Sequence, residues 1–65
     1  MLAQNIRKLR KKQGLTLEKL SSLAGISIST LAKIEYEEAK EPTIITVIKI
    51  AAALNVSIDE LVGRR

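Results

Sequence analysis

The sequence predicts a compact all-α domain of five helices, at about residues 3–13, 17–24, 28–36, 44–54 and 58–62, forming one unit over residues 1–65. Three observations predict it. Aliphatic residues recur at helical spacing along almost the whole chain. Hydroxyl residues suited to cap a helix N-terminus stand before four of these runs (Thr16, Ser27, Thr43 and Ser57), and Gly14, Gly25 and Asn55 close three of them. Finally, only Gly25, Ile26 and Ser27 separate the second run from the third. Two helices joined by so short a glycine turn cannot lie side by side, so residues 17–36 cross steeply as a helix-turn-helix.

Composition narrows the chemistry. A chain of 65 residues lies near the lower limit at which one core holds without staples. It has no cysteine and no histidine, which excludes disulfide frameworks and the common zinc patterns, and no metal or cofactor is expected. The core must be aliphatic. Tyr36 is the sole aromatic residue, which argues against a base-stacking platform for single-stranded nucleic acid. No apolar run approaches the roughly 20 residues of a membrane span and no signal-peptide core opens the chain, so a cytoplasmic protein without a membrane partner is expected. Acid–base or nucleophilic catalysis needs positioned titratable pairs, and the surface carboxylates form none, so no enzyme and no small-molecule ligand are expected.

The charge is unevenly placed. Residues 1–33 carry seven basic side chains and one acidic, a net +6, whereas residues 34–65 carry four basic and six acidic, a net −2. The first half therefore suits an anionic partner, or else Arg7 to Lys12 is simply the solvated face of the first helix.

Each helix has its own signals. In the first, Leu2, Ile6 and Leu9 recur at helical spacing with Gln13 closing the stripe, Arg7, Lys8, Lys11 and Lys12 face outward, and Gly14 ends it. In the second, Thr16 caps, Leu15 and Leu20 have the spacing of a hydrophobic staple, and Leu20, Leu23 and Ala24 point to the core. Ser21 fits a tight contact there, with its hydroxyl returned to a carbonyl one turn earlier. In the third, Ser27 caps, Ile26 and Leu31 form the staple, and Leu31 and Ile34 belong inside. Pro42 then biases Glu41 to an extended conformation and marks a loop. The run of Ile and Val after Thr43 could suggest a strand, but the Thr43 cap, the helical spacing and Ala51-Ala52-Ala53 favour a helix with Ile44, Val47, Ile48, Ala51 and Leu54 inside. Ser57-Ile58-Asp59-Glu60 is a capping box with Val56 and Leu61 as its staple, and Gly63-Arg64-Arg65 reads as a frayed tail.

These residues resemble the XRE, or Cro/repressor-type, helix-turn-helix family. The matching positions are Gly14-Leu15-Thr16, Leu20, Ala24-Gly25-Ile26-Ser27, Leu31, Ile34-Glu35, Pro42-Thr43, Lys49-Ile50-Ala51 and Ala53 through Leu61, nearly the whole chain. The resemblance implies a lambdoid phage repressor-like domain that binds double-stranded DNA sequence-specifically as a transcriptional regulator, in the first instance a repressor. Helix 28–36 would enter the major groove. A homodimer, at least on DNA, would span two half-sites about one turn, roughly 34 Å, apart. The resemblance also implies a partly buried ion pair between Arg10 and Glu35, of structural rather than binding role.

Residue by residue, the resemblance places Thr16 and Leu17 at a phosphate, received by the free N–H groups of a helix N-terminus. The family often has glutamine where this chain has Leu17, and leucine cannot donate that hydrogen bond. Ser27, Ile28 and Ser29 meet the bases, with Thr30 beside them in the DNA-facing set, and Lys33 faces a guanine edge or a phosphate. Ile28 either reads a thymine methyl or is only an exposed apolar residue. Tyr36 either donates its hydroxyl to a phosphate or packs its ring on the core edge. Lys40 and Thr43 complete the DNA-facing set, while Glu37, Glu38 and Glu41 in the same loop weaken binding unless they turn away. The base-facing positions hold no Arg, Asn or Gln, so specificity is expected to be modest or to rest on DNA shape and water-mediated contacts. Ile45 and Ala52, on the outer face of the fourth helix, mark a dimer contact or are stray surface aliphatics. The alternative function is a protein-interaction or engineered scaffold module that keeps the fold without strong DNA binding; Leu17, Ile28, Ile45 and the acidic loop fit it.

Overall fold

A computed structural model describes residues 2–36 and 42–63. Its helices are α1 (Leu2–Lys12), α2 (Leu17–Ala24), α3 (Ile28–Tyr36), α4 (Ile44–Leu54) and α5 (Ile58–Val62). The last four have the predicted bounds, and α1 begins and ends one residue early. The acidic loop with Glu37, Glu38, Lys40 and Glu41, and the Arg64-Arg65 tail, lie outside the described residues.

Every predicted cap forms. The side-chain oxygens of Thr16, Ser27, Thr43 and Ser57 accept from the backbone N–H three residues on, at 3.0, 3.0, 3.2 and 3.0 Å. At the start of α5 the box closes, with a Glu60 carboxylate oxygen accepting from the Ser57 N–H at 3.1 Å. The helix-turn-helix bend is set by Gly25 at φ 72°, with the Ile26 N–H donating to the Ser21 carbonyl at 3.0 Å. That paired pattern satisfies the last carbonyls of α2 and reverses the chain within two residues. Asn55 does the same for α4 at φ 60°.

Helix α1 packs against α3, α4 and α5, α2 lies across α3 and α4, and α4 closes on α5. Between them lies an aliphatic core of Ile6, Leu20, Ala24, Leu31, Val47, Ile50, Ala51, Leu54 and Leu61. The staple residues Leu15, Ile26 and Val56 pack on its rim with Leu2, Leu9 and Ile34.

Three core expectations are corrected. Leu23 is 53% exposed, because α2 buries the arc of Leu20, Ser21 and Ala24, whose two small members admit neighbouring helices closely and leave Leu23 on the flank. The Ser21 hydroxyl donates to the Glu18 carbonyl at 2.8 Å, as expected. Ile44 and Ile48 are 62% and 48% exposed, because α4 turns Val47, Ile50, Ala51 and Leu54 inward. Gln13 is not part of the α1 stripe: it lies just past the helix, and its amide donates to the Leu54 carbonyl at the end of α4, at 2.7 Å.

The corrected face of α4 is testable by thermal or denaturant unfolding. Ile50→Ala should cost about 2–5 kcal/mol, the range for emptying a core site. Ile48→Ala should cost under about 1 kcal/mol, as expected of a surface change. Equal losses would show that both isoleucines face the core.

Candidate nucleic-acid interface

The arrangement of the two crossing helices depends on Arg10, in the last turn of α1. Its guanidinium Nε donates to both carboxylate oxygens of Glu35, at 2.9 and 3.1 Å, Nη1 donates to the Leu15 carbonyl at 2.8 Å, and Nη2 donates to the Tyr36 hydroxyl at 3.1 Å. Leu15 immediately precedes the cap of α2, whereas Glu35 and Tyr36 end α3. One side chain therefore ties α1 to both ends of the helix-turn-helix. The pair is more deeply placed than expected, with Arg10 6% and Glu35 1% exposed. The hydrogen bond with Glu35 raises the Arg10 pKa, while burial opposes it.

Arg7, one turn earlier, does not simply face solvent. Its Nη1 donates to the Glu35 carbonyl and its guanidinium lies 4.9 Å from the centroid of the Tyr36 ring. A cation over an aromatic face is attracted by the ring quadrupole. The sequence alone turns Arg7 outward, either toward an anionic partner or as part of a solvated face, and places it one turn before Arg10; the structure puts it on the flank that meets the end of α3.

The free surface of the motif is built from α2 and α3. Ser27, Ile28, Ser29 and Thr30 are all exposed around the first turn of α3, with the Ser27 hydroxyl donating to the Thr30 hydroxyl at 2.8 Å. Lys33 is exposed one turn later on the Ser29 side. Thr16 is exposed at the start of α2, and its oxygen takes the Lys19 N–H, which leaves the N–H groups of Leu17 and Glu18 directed out of the helix end. Leu17 itself packs against the core. Tyr36 is half exposed at the end of α3, and Thr43 is exposed at the start of α4 with its oxygen committed to the cap. Ile45 and Ala52 are exposed on α4, away from its inner face and beside Ile44 and Ile48. Lys40 lies outside the described residues.

Two short helices crossing at a glycine turn, with a polar first turn exposed on the second and a third helix bracing both, define a helix-turn-helix domain. The chain belongs to that family: the family model described as Helix-turn-helix matches residues 6–61. It is 41% identical over 64 residues to the SPbeta prophage-derived uncharacterized HTH-type transcriptional regulator YopO of Bacillus subtilis (strain 168), covering 98% of this chain and 90% of that one. It is 34% identical over 65 residues to the HTH-type transcriptional regulator SinR of Bacillus subtilis (strain 168), of which it spans 59%. The crystal structure of the master regulator for biofilm formation SinR in complex with DNA superposes with a TM-score of 0.89 at 35% identity, covering 95% of this chain and 98% of that one. The restriction-modification controller protein C.AhdI from Aeromonas hydrophila gives 0.86 at 30% identity, over 92% and 89%.

Removing one member of a buried ion pair strands the other. Glu35→Ala should therefore lower stability by roughly 3–5 kcal/mol, while Arg10→Met combined with Glu35→Leu should recover much of the loss. An unfolding series in which the single variant costs nothing would rule out the bracing role of the pair.

Proposed function

We propose that this domain is the DNA-binding unit of a transcriptional repressor, acting in the cytoplasm on double-stranded DNA with α3 in the major groove. The observation that carries the reading is the exposed first turn of α3, Ser27 to Thr30, held on a rigid support by Arg10 and Glu35. An α-helix fits the major groove, and in this motif the N-terminal residues of the second helix meet the base edges. The relatives point the same way, being HTH-type transcriptional regulators or controllers, one of them crystallised with DNA.

In this reading Thr16 and the free N–H groups of Leu17 and Glu18 receive a phosphate, Lys33 pairs with a guanine edge or another phosphate, and Ile28 meets a thymine methyl. Hydroxyls and a methyl discriminate weakly, so neighbouring groove shape contributes to the choice of site. Thr43, exposed at the start of α4 with its oxygen committed to the cap, would be a backbone neighbour rather than a hydrogen-bond donor. Lys40 joins the set as a further cation.

One such helix reads too few bases for useful specificity, so the domain would act as a symmetric homodimer. The exposed apolar stripe of α4, which adds Ile44 and Ile48 to Ile45 and Ala52, supports that contact. A two-fold interface presents the same patch from both copies, and a helix face of this kind is self-complementary.

Titration of a random duplex followed by fluorescence anisotropy tests the first part. Lys33→Ala should weaken binding about tenfold near 0.1 M salt and reduce the slope of log affinity against log salt by about 0.9. An unchanged affinity would remove Lys33 from the interface. For the second part, Ile45→Glu should abolish any dimer seen by sedimentation and leave affinity for a single half-site intact; a dimer that survives would place the contact elsewhere.

A further inference from the structure

We propose that Arg7 and Tyr36 together form a phosphate-binding seat at the far end of α3, a contact that lies beyond the first turn of the recognition helix. The inference rests on the reading of α3 as the helix that enters the groove. Ser29, Lys33 and Tyr36 are spaced i, i+4 and i+7, so one stripe of α3 runs from the base-facing first turn to Tyr36. A helix that points its N-terminal end at base edges leaves the groove at its other end, where the strand backbone passes.

The chemistry at that end suits an anion. The Tyr36 oxygen already accepts from Arg10 Nη2 at 3.1 Å, which occupies a lone pair and leaves the phenolic O–H as a donor. Among the described residues no acceptor takes that proton, and Tyr36 is 50% exposed. The charge comes from Arg7. The Arg10 charge is matched by Glu35, but Arg7 has no carboxylate partner among the described residues. One Arg7 nitrogen is spent on the Glu35 carbonyl, and its guanidinium carbon lies over the Tyr36 ring, 4.9 Å from the centroid. A guanidinium has five N–H donors, so the others remain for phosphate oxygens. The cation–π contact and the carbonyl bond also hold the side chain in place before DNA arrives, which lowers the ordering cost of the contact.

The two side chains have separable signatures. Arg7→Gln removes a charge, so against random duplex the slope of log affinity on log salt should fall by about 0.9 and affinity near 0.1 M salt by about tenfold. Tyr36→Phe keeps the ring and the stacked arginine but removes the hydroxyl; affinity should fall a few-fold with the slope unchanged. Circular dichroism melting establishes that each variant folds. A measurement on the unaltered chain does not depend on that outcome: the Arg7 Nε–H and Tyr36 ring resonances should shift on saturation with duplex and return at high salt. If the chain binds duplex, Lys33→Ala weakens it, and these resonances stay in place or both folded variants bind as the parent does, the seat is wrong while the DNA-binding reading stands. If the chain does not bind duplex even at low salt, the DNA-binding reading fails and the seat with it.

Discussion

The buried guanidinium of Arg10 is the constraint on which the rest of this small structure depends. Taking two charges out of water costs several kcal/mol for each ion, and their attraction offsets that only when the remaining donors and acceptors are also satisfied. Here each guanidinium nitrogen has a partner: Arg10 gives Nε to Glu35, Nη1 to the Leu15 carbonyl and Nη2 to the Tyr36 hydroxyl, and among the described residues no buried side-chain polar atom lacks one. The geometry requires arginine, because only a planar fork reaches three partners in different directions from one rotamer; lysine would offer a point charge. The result is orientation more than net stability. The start of α2 and the end of α3 are tied to the same side chain of α1, so a pivot at the glycine bend would have to break the Arg10 contacts.

Much of this was legible in the sequence, and what was legible is local. The caps at Thr16, Ser27, Thr43 and Ser57, the left-handed ends at Gly25 and Asn55, and the staples onto Leu20, Leu31 and Leu61 depend on residues within five positions of one another, so spacing alone reveals them. The Arg10–Glu35 pair was not of this kind: 25 residues separate its partners, and only the family resemblance put them together. What failed was the choice of face. In α4 the stripe Ile44, Val47, Ile48, Ala51 and Leu54 and the stripe Val47, Ile50, Ala51 and Leu54 both have helical period, and in a helix with little but aliphatic residues on most sides nothing local selects between them. The selection is made by α2, whose small Ser21 and Ala24 let neighbouring helices approach. Arg7 escaped for a related reason, since a basic run has the same periodicity whether its members meet solvent or the ring of Tyr36. For the candidate site, the sequence located the exposed turn of α3 and the start of α2, but not what stands behind them.

The exposed isoleucines of α4 follow from the same geometry. A domain of this size has one core, and once Val47, Ile50, Ala51 and Leu54 fill it, Ile44, Ile45 and Ile48 are left on a helix that is apolar nearly all round. A helix with that pattern is usually buried on more than one side. Keeping several large aliphatic side chains together in water leaves a driving force for association that single scattered ones would not. The proposed dimer would use it at no expense to the core, because none of these three side chains is among the buried residues.

The proposed interface divides its work along α3. The first turn carries hydroxyls and Ile28 and no charge, so it can distinguish methyl and hydrogen-bonding edges but adds little long-range attraction. Positive charge stands further along: Lys33 one turn on and Arg7 behind Tyr36, with the unpaired N–H groups of α2 to one side. Attraction to phosphate is insensitive to sequence and sets register, whereas base-edge contacts select. With the charges kept off the turn proposed to meet the bases, a mismatched site would keep its phosphate contacts and lose only the small gain from the first turn. On the proposed interface, discrimination by one domain would be shallow, and it would deepen only if two copies were held at a fixed separation, so that both first turns had to find their bases while the same phosphates were held.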